Sequence, residues 1–288
     1  MIIKSLQNLT LLCKYKRHLS KLAFVSDLHL EHKKWEYNYP KINQSCLNQL
    51  DESVQGIAIV GDLSNPCYDN FTQFLAYCGT LFNHVYFVAG NHEYYSKGFC
   101  KYTIKDSVTQ RIDSSIEKAK NLSKNNSIYY LNNTHIQLTN NKIIIGSTLW
   151  SNHDKSLVQT KNKDMQTIYE FINSEYDESR KYLKDTLKTC NTFNKMNGIK
   201  EPNVTVLTHY LPSYQLIDQK YYHISIHDKA KSERYYSNLE HLIKSPIKNW
   251  ICGHSHSLKN IYLNGVHLGI NSYISQNTNE INLKFVYI

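Results

Sequence analysis

Leu22-Ala23-Phe24-Val25-Ser26-Asp27-Leu28-His29 opens as a short apolar run and closes on an acid and an imidazole. The same switch recurs along the chain: Ile57 to Val60 leads to Gly61-Asp62, Val85 to Val88 to Gly90-Asn91-His92-Glu93, Val204 to Thr208 to His209, and Asn249 to Cys252 to Gly253-His254-Ser255-His256. These runs, with Ile143 to Ser147, are too short for helices and rich in β-branched and aromatic residues, which predicts strands buried on both faces. Between the early runs, Cys46, Leu47, Leu50 and Val54, then Phe71, Phe74, Leu75, Cys78, Leu81 and Phe82, recur at helical spacing. Strand, helix, strand implies crossover connections and an α/β fold with a largely parallel sheet.

Working outward, residues 151–200 are polar with weaker helical spacing at Ile168, Phe171, Ile172, Leu183 and Leu187, and are expected to form helices outside the sheet. Near the C-terminus, Asn264-Gly265 lies between short alternating runs around Ile261, Tyr262, Val266, His267 and Leu268, which predicts a β-hairpin and an antiparallel, β-rich end. No repeat, linker or low-complexity block divides the chain. One domain over 1–288 is expected, with 1–21 as an N-terminal extension and 151–200 as a helical elaboration.

The 288 residues are 41% hydrophobic and 20% charged, as in ordinary globular proteins. The net charge of +9 suits a phosphate-bearing or nucleic-acid partner, yet it is carried by scattered lysines with only four arginines, Arg17, Arg111, Arg180 and Arg234. Seven widely spaced cysteines without a CxxC pair point to a reducing compartment such as the cytoplasm. The polar-interrupted start does not read as a signal peptide, and no run is long enough to span a bilayer. Oligomeric state is not legible.

The polar ends of the runs carry the chemistry. Ligands of open α/β sheets bind at the carboxyl ends of strands, so the clusters are expected to converge on one rim. Carboxylate, imidazole and amide oxygen without thiolate suit Zn, Mn, Fe or Mg. Residues i and i+2 of an extended segment project to one side, which pairs Asp27 with His29 and His254 with His256. Glycines 61, 90 and 253 let the backbone turn tightly and approach an ion. Taken singly, Asp27-Leu28-His29 also reads as a cap, His209 as a strand-end histidine and Gly90-Asn91-His92 as a turn. The five together favour a dinuclear centre.

In order and spacing these segments resemble the calcineurin-like metallophosphoesterases, whose pattern is DxH, GDxx(D/N), GNH(D/E), an isolated His and GHxH. Here it is met by Asp27-His29, Gly61-Asp62-Leu63-Ser64-Asn65, Gly90-Asn91-His92-Glu93, His209 and Gly253-His254-Ser255-His256. The resemblance implies a four-layer α/β/β/α sandwich. It also implies a ligand set: Asp27, His29, Asp62 and His256 around one divalent ion and Asp62, Asn91, His209 and His254 around the other, with Asp62 bridging. His92 is implied as the catalytic group beside them, and the reaction as attack on phosphorus by a hydroxide bridging the two ions.

Asn65-Pro66 stands where the protein phosphatases of that superfamily continue as GDxxDRG, which disfavours protein phosphatase activity. A phosphodiesterase or phosphomonoesterase acting on a small molecule or nucleotide is therefore expected. The rivals are a DNA or RNA nuclease and a metal-bearing interaction module. Tyr94, Tyr95, Tyr129 and Tyr130 could stack on bases, against core packing as the plainer reading. Trp150, His153 and Tyr210 are read as substrate contacts; Asn152, Asp154 and Pro212 lie in the same loops, and His32, His227 and Asp228 read as loop residues.

Overall fold

A computed structural model describes residues 20–32, 38–94, 105–139, 141–152, 163–199, 202–217 and 234–288. Tyr95, His153, Asp154, His227, Asp228, the side chain of Ile168 and most of the 1–21 extension lie outside the described residues. In chain order the elements are β1 (Lys21–Val25), α1 (Gln44–Leu47), β2 (Val54–Val60), α2 (Asp69–Leu81), β3 (His84–Val88), α3 (Lys105–Ser123), β4 (Ile128–Tyr130), β5 (Thr134–Thr139), β6 (Lys142–Ser147), α4 (Lys163–Met196), β7 (Asn203–Thr208), β8 (Ile247–Cys252), β9 (Leu258–Leu263), β10 (Val266–Asn271) and β11 (Lys284–Tyr287).

The strands form two sheets, ordered β11-β1-β2-β3-β4 and β5-β6-β7-β8-β10-β9. β1 to β4 run parallel, in registers such as Phe24 with Ala58 and Ala58 with Tyr86, and β11 joins β1 antiparallel. In the second sheet β6, β7, β8 and β10 are parallel, while β5 and β9 are antiparallel edges. The expected antiparallel C-terminus therefore holds for β9 and β11 but not for β10 on β8. Crossovers bring successive long strands in side by side and parallel, whereas strands joined by tight turns return antiparallel.

Because successive side chains of a strand face opposite ways, each run serves two cores. Leu22 and Phe24, Ala58 and Val60, and Tyr86 and Val88 meet Ile144, Leu207 and Ile251 between the sheets. The alternate residues Ala23, Val25, Ile57, Ile59, Val85 and Phe87 belong to the cluster that also holds Phe71, Phe74 and Leu75 of α2 and Ile112, Ile116 and Ala119 of α3. On the second sheet, α4 buries Leu183 and Leu187, and its Tyr182 hydroxyl bonds His135 of β5 at 2.9 Å. Helix, sheet, sheet, helix is the four-layer sandwich.

Some local expectations fail for identifiable reasons. The helical spacing through Leu50 and Val54 does not extend α1. Asn43 caps a single turn, Asp51 accepts from Ser53 N and Val54 N within a tight turn, and Val54 already begins β2. Tyr94 is fully buried, Tyr129 stacks on Tyr86 at 5.8 Å, and Tyr130 packs on Phe87 at 5.8 Å, so these three rings serve packing. At Asn264-Gly265 both φ angles are positive, 50° and 79°, as the predicted tight hairpin needs. The described cysteines are free, and no helix among the described residues is long and apolar enough to cross a membrane.

Candidate metal centre

The carboxyl ends of β1, β2 and β3 in one sheet and of β7 and β8 in the other meet at one edge of the sandwich. Backbone bonds lock the loops together there: Asp27 N donates to Gly61 O at 3.1 Å, His29 N to Asp62 O at 2.9 Å and Gly253 N to His209 O at 3.0 Å. Ser26 bridges to Ser272, which ties the first sheet to the end of β10. Asp27, His29, Asp62, His254 and His256 all have φ between 45° and 63°. Each left-handed non-glycine residue costs roughly 1–3 kcal/mol, and such strain concentrates at functional sites. Gly61, at φ 87°, permits the close approach beside them, since a Cβ there would collide with the His209 ring.

The predicted ligand residues converge. Donor atoms of Asp27, His29, Asp62 and His256 lie within 4.8 Å of one another, as do those of Asp62, His209 and His254, so Asp62 belongs to both groups. His29 Nε2 faces His256 Nε2 at 3.1 Å, and Asp62 Oδ2 lies 3.7 Å from His29 Nε2 and 3.3 Å from His209 Nε2. Asn91 Oδ1 completes the second group, 3.1 Å from His209 Nε2. Asp27 and Asp62 are buried, with no lysine or arginine paired to them among the described residues. Buried carboxylates facing opposed imidazole nitrogens are a donor set that fits divalent cations.

Protonation follows from the same packing. Burial lowers the pKa of His29, but the Glu31 hydrogen bond and the Asp62 and Asp27 charges outweigh it and raise it to about 9. His209 behaves alike, its burial outweighed chiefly by the Asp62 charge, and it reaches about 9. His254 is pushed down to about 3 by burial and by His209, and burial also lowers His256. Asp62, despite its burial, is held well below the carboxylate range by His209 and His92.

Two acids that the sequence reading left without a role support the centre. Glu93 accepts backbone N–H bonds from Gly90 at 2.6 Å, Leu63 at 2.7 Å, Asp62 at 3.1 Å and Ser64 at 3.3 Å, and so clamps the β2 and β3 loops. Burial and the Asp62 charge nevertheless raise its pKa to about 7. Glu31 Oε1 lies 2.8 Å from His92 Nδ1 and 3.1 Å from His29 Nδ1. It stands two residues beyond His29, at the i, i+2 spacing that paired Asp27 with His29. His92 is half-buried, its ring 4.3 Å from that of His29, and its N–H bonds Asp62 Oδ1 at 2.9 Å.

Of the residues read as substrate contacts, Tyr210 is 4% exposed and its ring lies 4.0 Å from that of His254. Trp150 is 1% exposed and packs behind Tyr210 at 5.5 Å, where it buttresses the wall rather than facing solvent. His153 lies outside the described residues. His32 does reach the site, its ring 5.7 Å from that of His29. Tyr235, which the sequence reading did not single out, lies 5.3 Å from the His254 ring, and the carbonyl of Arg234 is 3.2 Å from His254 Nε2. A cleft of about 1000 Å³ between α2 and α3, lined in part by Cys67, Gln73, Arg111 and Lys118, has no comparable convergence of ligand groups among the described residues.

An uncharacterized protein of Acanthamoeba polyphaga mimivirus is 26% identical over 266 residues, which cover 87% of this chain and 89% of that protein. The phosphopantetheinyl hydrolase of Mycobacterium tuberculosis superposes with a TM-score of 0.56 at 13% identity, over 93% of this chain and 96% of that one, a likeness of fold. A putative 5'-nucleotidase of Staphylococcus aureus aligns with 87% of this chain and 48% of its own at a TM-score of 0.42 and 13% identity. The calcineurin-like phosphoesterase family matches residues 20–258, most of the chain, and the chain belongs to that family.

Proposed function

We propose that this metal-dependent phosphoester hydrolase works with two divalent ions, Zn, Mn, Fe or Mg, on a small phosphoester or nucleotide. The observation that carries this reading is the membership of Asp62 in both donor groups. Asp27, His29, Asp62 and His256 would hold one ion and Asp62, Asn91, His209 and His254 the other. Such a pair supplies Lewis acidity to the phosphoryl oxygens and makes a water nucleophilic near neutral pH.

The chain's own residues supply position and a proton. Asp27 and Asp62 bring negative charge into a buried rim, and Glu93 holds the loops that carry Asp62 and Asn91. His92 has Nδ1 engaged by Glu31, so the proton it can give to the leaving oxygen is the one on Nε2. Its pKa is raised because the Asp62 charge and the Glu31 hydrogen bond outweigh burial, which favours the acid form.

The deciding experiment is hydrolysis of p-nitrophenyl phosphate and its bis ester by metal-stripped protein, with Mn, Zn, Mg, Fe or nothing restored. Metal-dependent turnover is expected, and the ratio of the two rates reports monoester against diester preference. Phosphopantetheinyl and nucleotide esters form the second panel. No turnover with any metal, in protein that binds two ions, would replace the enzyme with an interaction module.

A further inference from the structure

Glu31 is the acid that joins the metal centre to the group beside it. One oxygen, Oε1, meets Nδ1 of both His29 and His92, at 3.1 and 2.8 Å. An ionised carboxylate only accepts hydrogen bonds, so both rings must carry their proton on Nδ1. The consequence differs for the two. In His29 the other nitrogen, Nε2, is left facing His256 and Asp62, where the donor atoms converge. In His92, which is half-buried, Nε2 is left as the ring nitrogen that can exchange a proton. The segment reaches this position because His29 is left-handed, at φ 49°, and because Leu30 N is held by Leu63 O at 2.9 Å.

We propose that Glu31 is a positioning residue that fixes the ring orientation and Nδ1–H form of His92 through the oxygen it shares with Nδ1 of His29. The proposal rests on the phosphoesterase reading for the use to which His92 is put. Oε2 of Glu31 is buried without a hydrogen-bond partner among the described residues, and Glu31, His29 and His92 themselves form a group compact enough to hold a cation. The rival role is therefore that of a direct ligand, and it makes a different prediction.

The test compares wild type, Glu31→Ala, Glu31→Gln, His92→Ala and the Glu31→Ala/His92→Ala double variant at saturating Mn, on p-nitrophenyl and phenyl phosphates, with metal content measured on each. Loss of a proton donor harms the phenyl ester, whose leaving group needs the proton, more than the nitrophenyl ester. Glu31→Ala should reproduce the leaving-group bias of His92→Ala, with a loss of about 10- to 100-fold on the phenyl ester, the scale set by outer partners of metal-bound histidines. The double variant should lose no more than His92→Ala alone. Glu31→Gln, which keeps an acceptor oxygen, should recover most of the activity, and every variant should retain the wild-type metal content.

Equal losses on both esters, an effect that multiplies with that of His92→Ala, or one ion fewer per chain in Glu31→Ala would each overturn the proposal. A second readout does not depend on turnover. In 15N-histidine-labelled protein the Nδ1 proton of His92 should give an exchange-protected downfield resonance that disappears in Glu31→Ala. A wild type without turnover would remove the phosphoesterase reading alone, while that resonance would still decide the role of Glu31; its absence from wild type would sink the proposal.

Discussion

Asp62 is the residue on which the centre turns, since its carboxylate lies in both donor groups and also accepts His92 N–H. Asp62→Asn should therefore lower kcat/KM by well over the ~100-fold that loss of an outer partner produces, with fewer ions bound by elemental analysis. His92→Ala is expected to separate the two properties: kcat falls by about 10²- to 10⁴-fold, the usual contribution of a general acid, while both ions stay. Full activity in Asp62→Asn would refute the shared-carboxylate mechanism. Glu93 belongs to a different class, because its partners are backbone N–H groups rather than ions. Glu93→Ala would leave buried donors of Gly90, Asp62 and Leu63 unpaired, at about 1–3 kcal/mol each and less than additively. A urea titration of metal-free protein should register it as a lower midpoint.

At the scale of elements, the runs that end in Asp, His or Asn were legible in the sequence because buried parallel strands are nearly all apolar, so a polar residue at their end stands out. Asp27, His29, Asp62, Asn91, His209, His254 and His256 all carry that signal, and they do come together. Glu31 was not legible by the i, i+2 spacing, which holds for an extended segment, because Asp27 and His29 are left-handed at φ 53° and 49°. What could not be read is the pairing of one oxygen with two rings from different loops, which depends on the crossing of β1 and β3 loops that no local pattern encodes. α3 escaped although Val108, Ile112, Ile116 and Ala119 repeat at helical spacing, since a weakly apolar stripe is outweighed there by a run of polar residues. β5 alternates exposed and half-buried positions and so lacks an apolar run. Two glycines test the reading of loops. Gly265→Ala places a Cβ in open space at φ 79° and should cost only about 1–2 kcal/mol of backbone strain, with activity unchanged. Gly61→Ala adds the same strain and a collision with the His209 ring, so it should abolish metal-dependent turnover. Equal effects of the two substitutions would mean that the β2 loop is not built around that close approach.

Across the whole molecule, metal binding and protonation compete for the same nitrogens, and the sign of the competition can be worked out. His29 and His209, each raised to about 9 in the metal-free protein, hold protons at neutral pH that an ion must displace, whereas His254, lowered to about 3, is already deprotonated. Affinity should thus climb with pH by about tenfold per unit for each proton displaced and level off above about 9. The folding equilibrium moves the other way in the absence of metal. A histidine raised from 6.5 to about 9 on folding contributes stability that is complete below pH 6.5 and is lost as pH rises through 9. The metal-free protein should therefore weaken between pH 6.5 and 9 over the window in which ions bind more tightly. Since an ion that binds only the folded state stabilises it in proportion to the logarithm of its occupancy ratio, the difference in Tm between metal-loaded and chelator-treated protein should widen from pH 6.5 to 9. Differential scanning calorimetry at constant free metal measures this directly, and calorimetric titration in buffers of different ionisation heat counts the protons released. A Tm difference that narrows with pH, or binding without proton release at pH 7, would show that His29 and His209 do not carry the protons the buried acids call for.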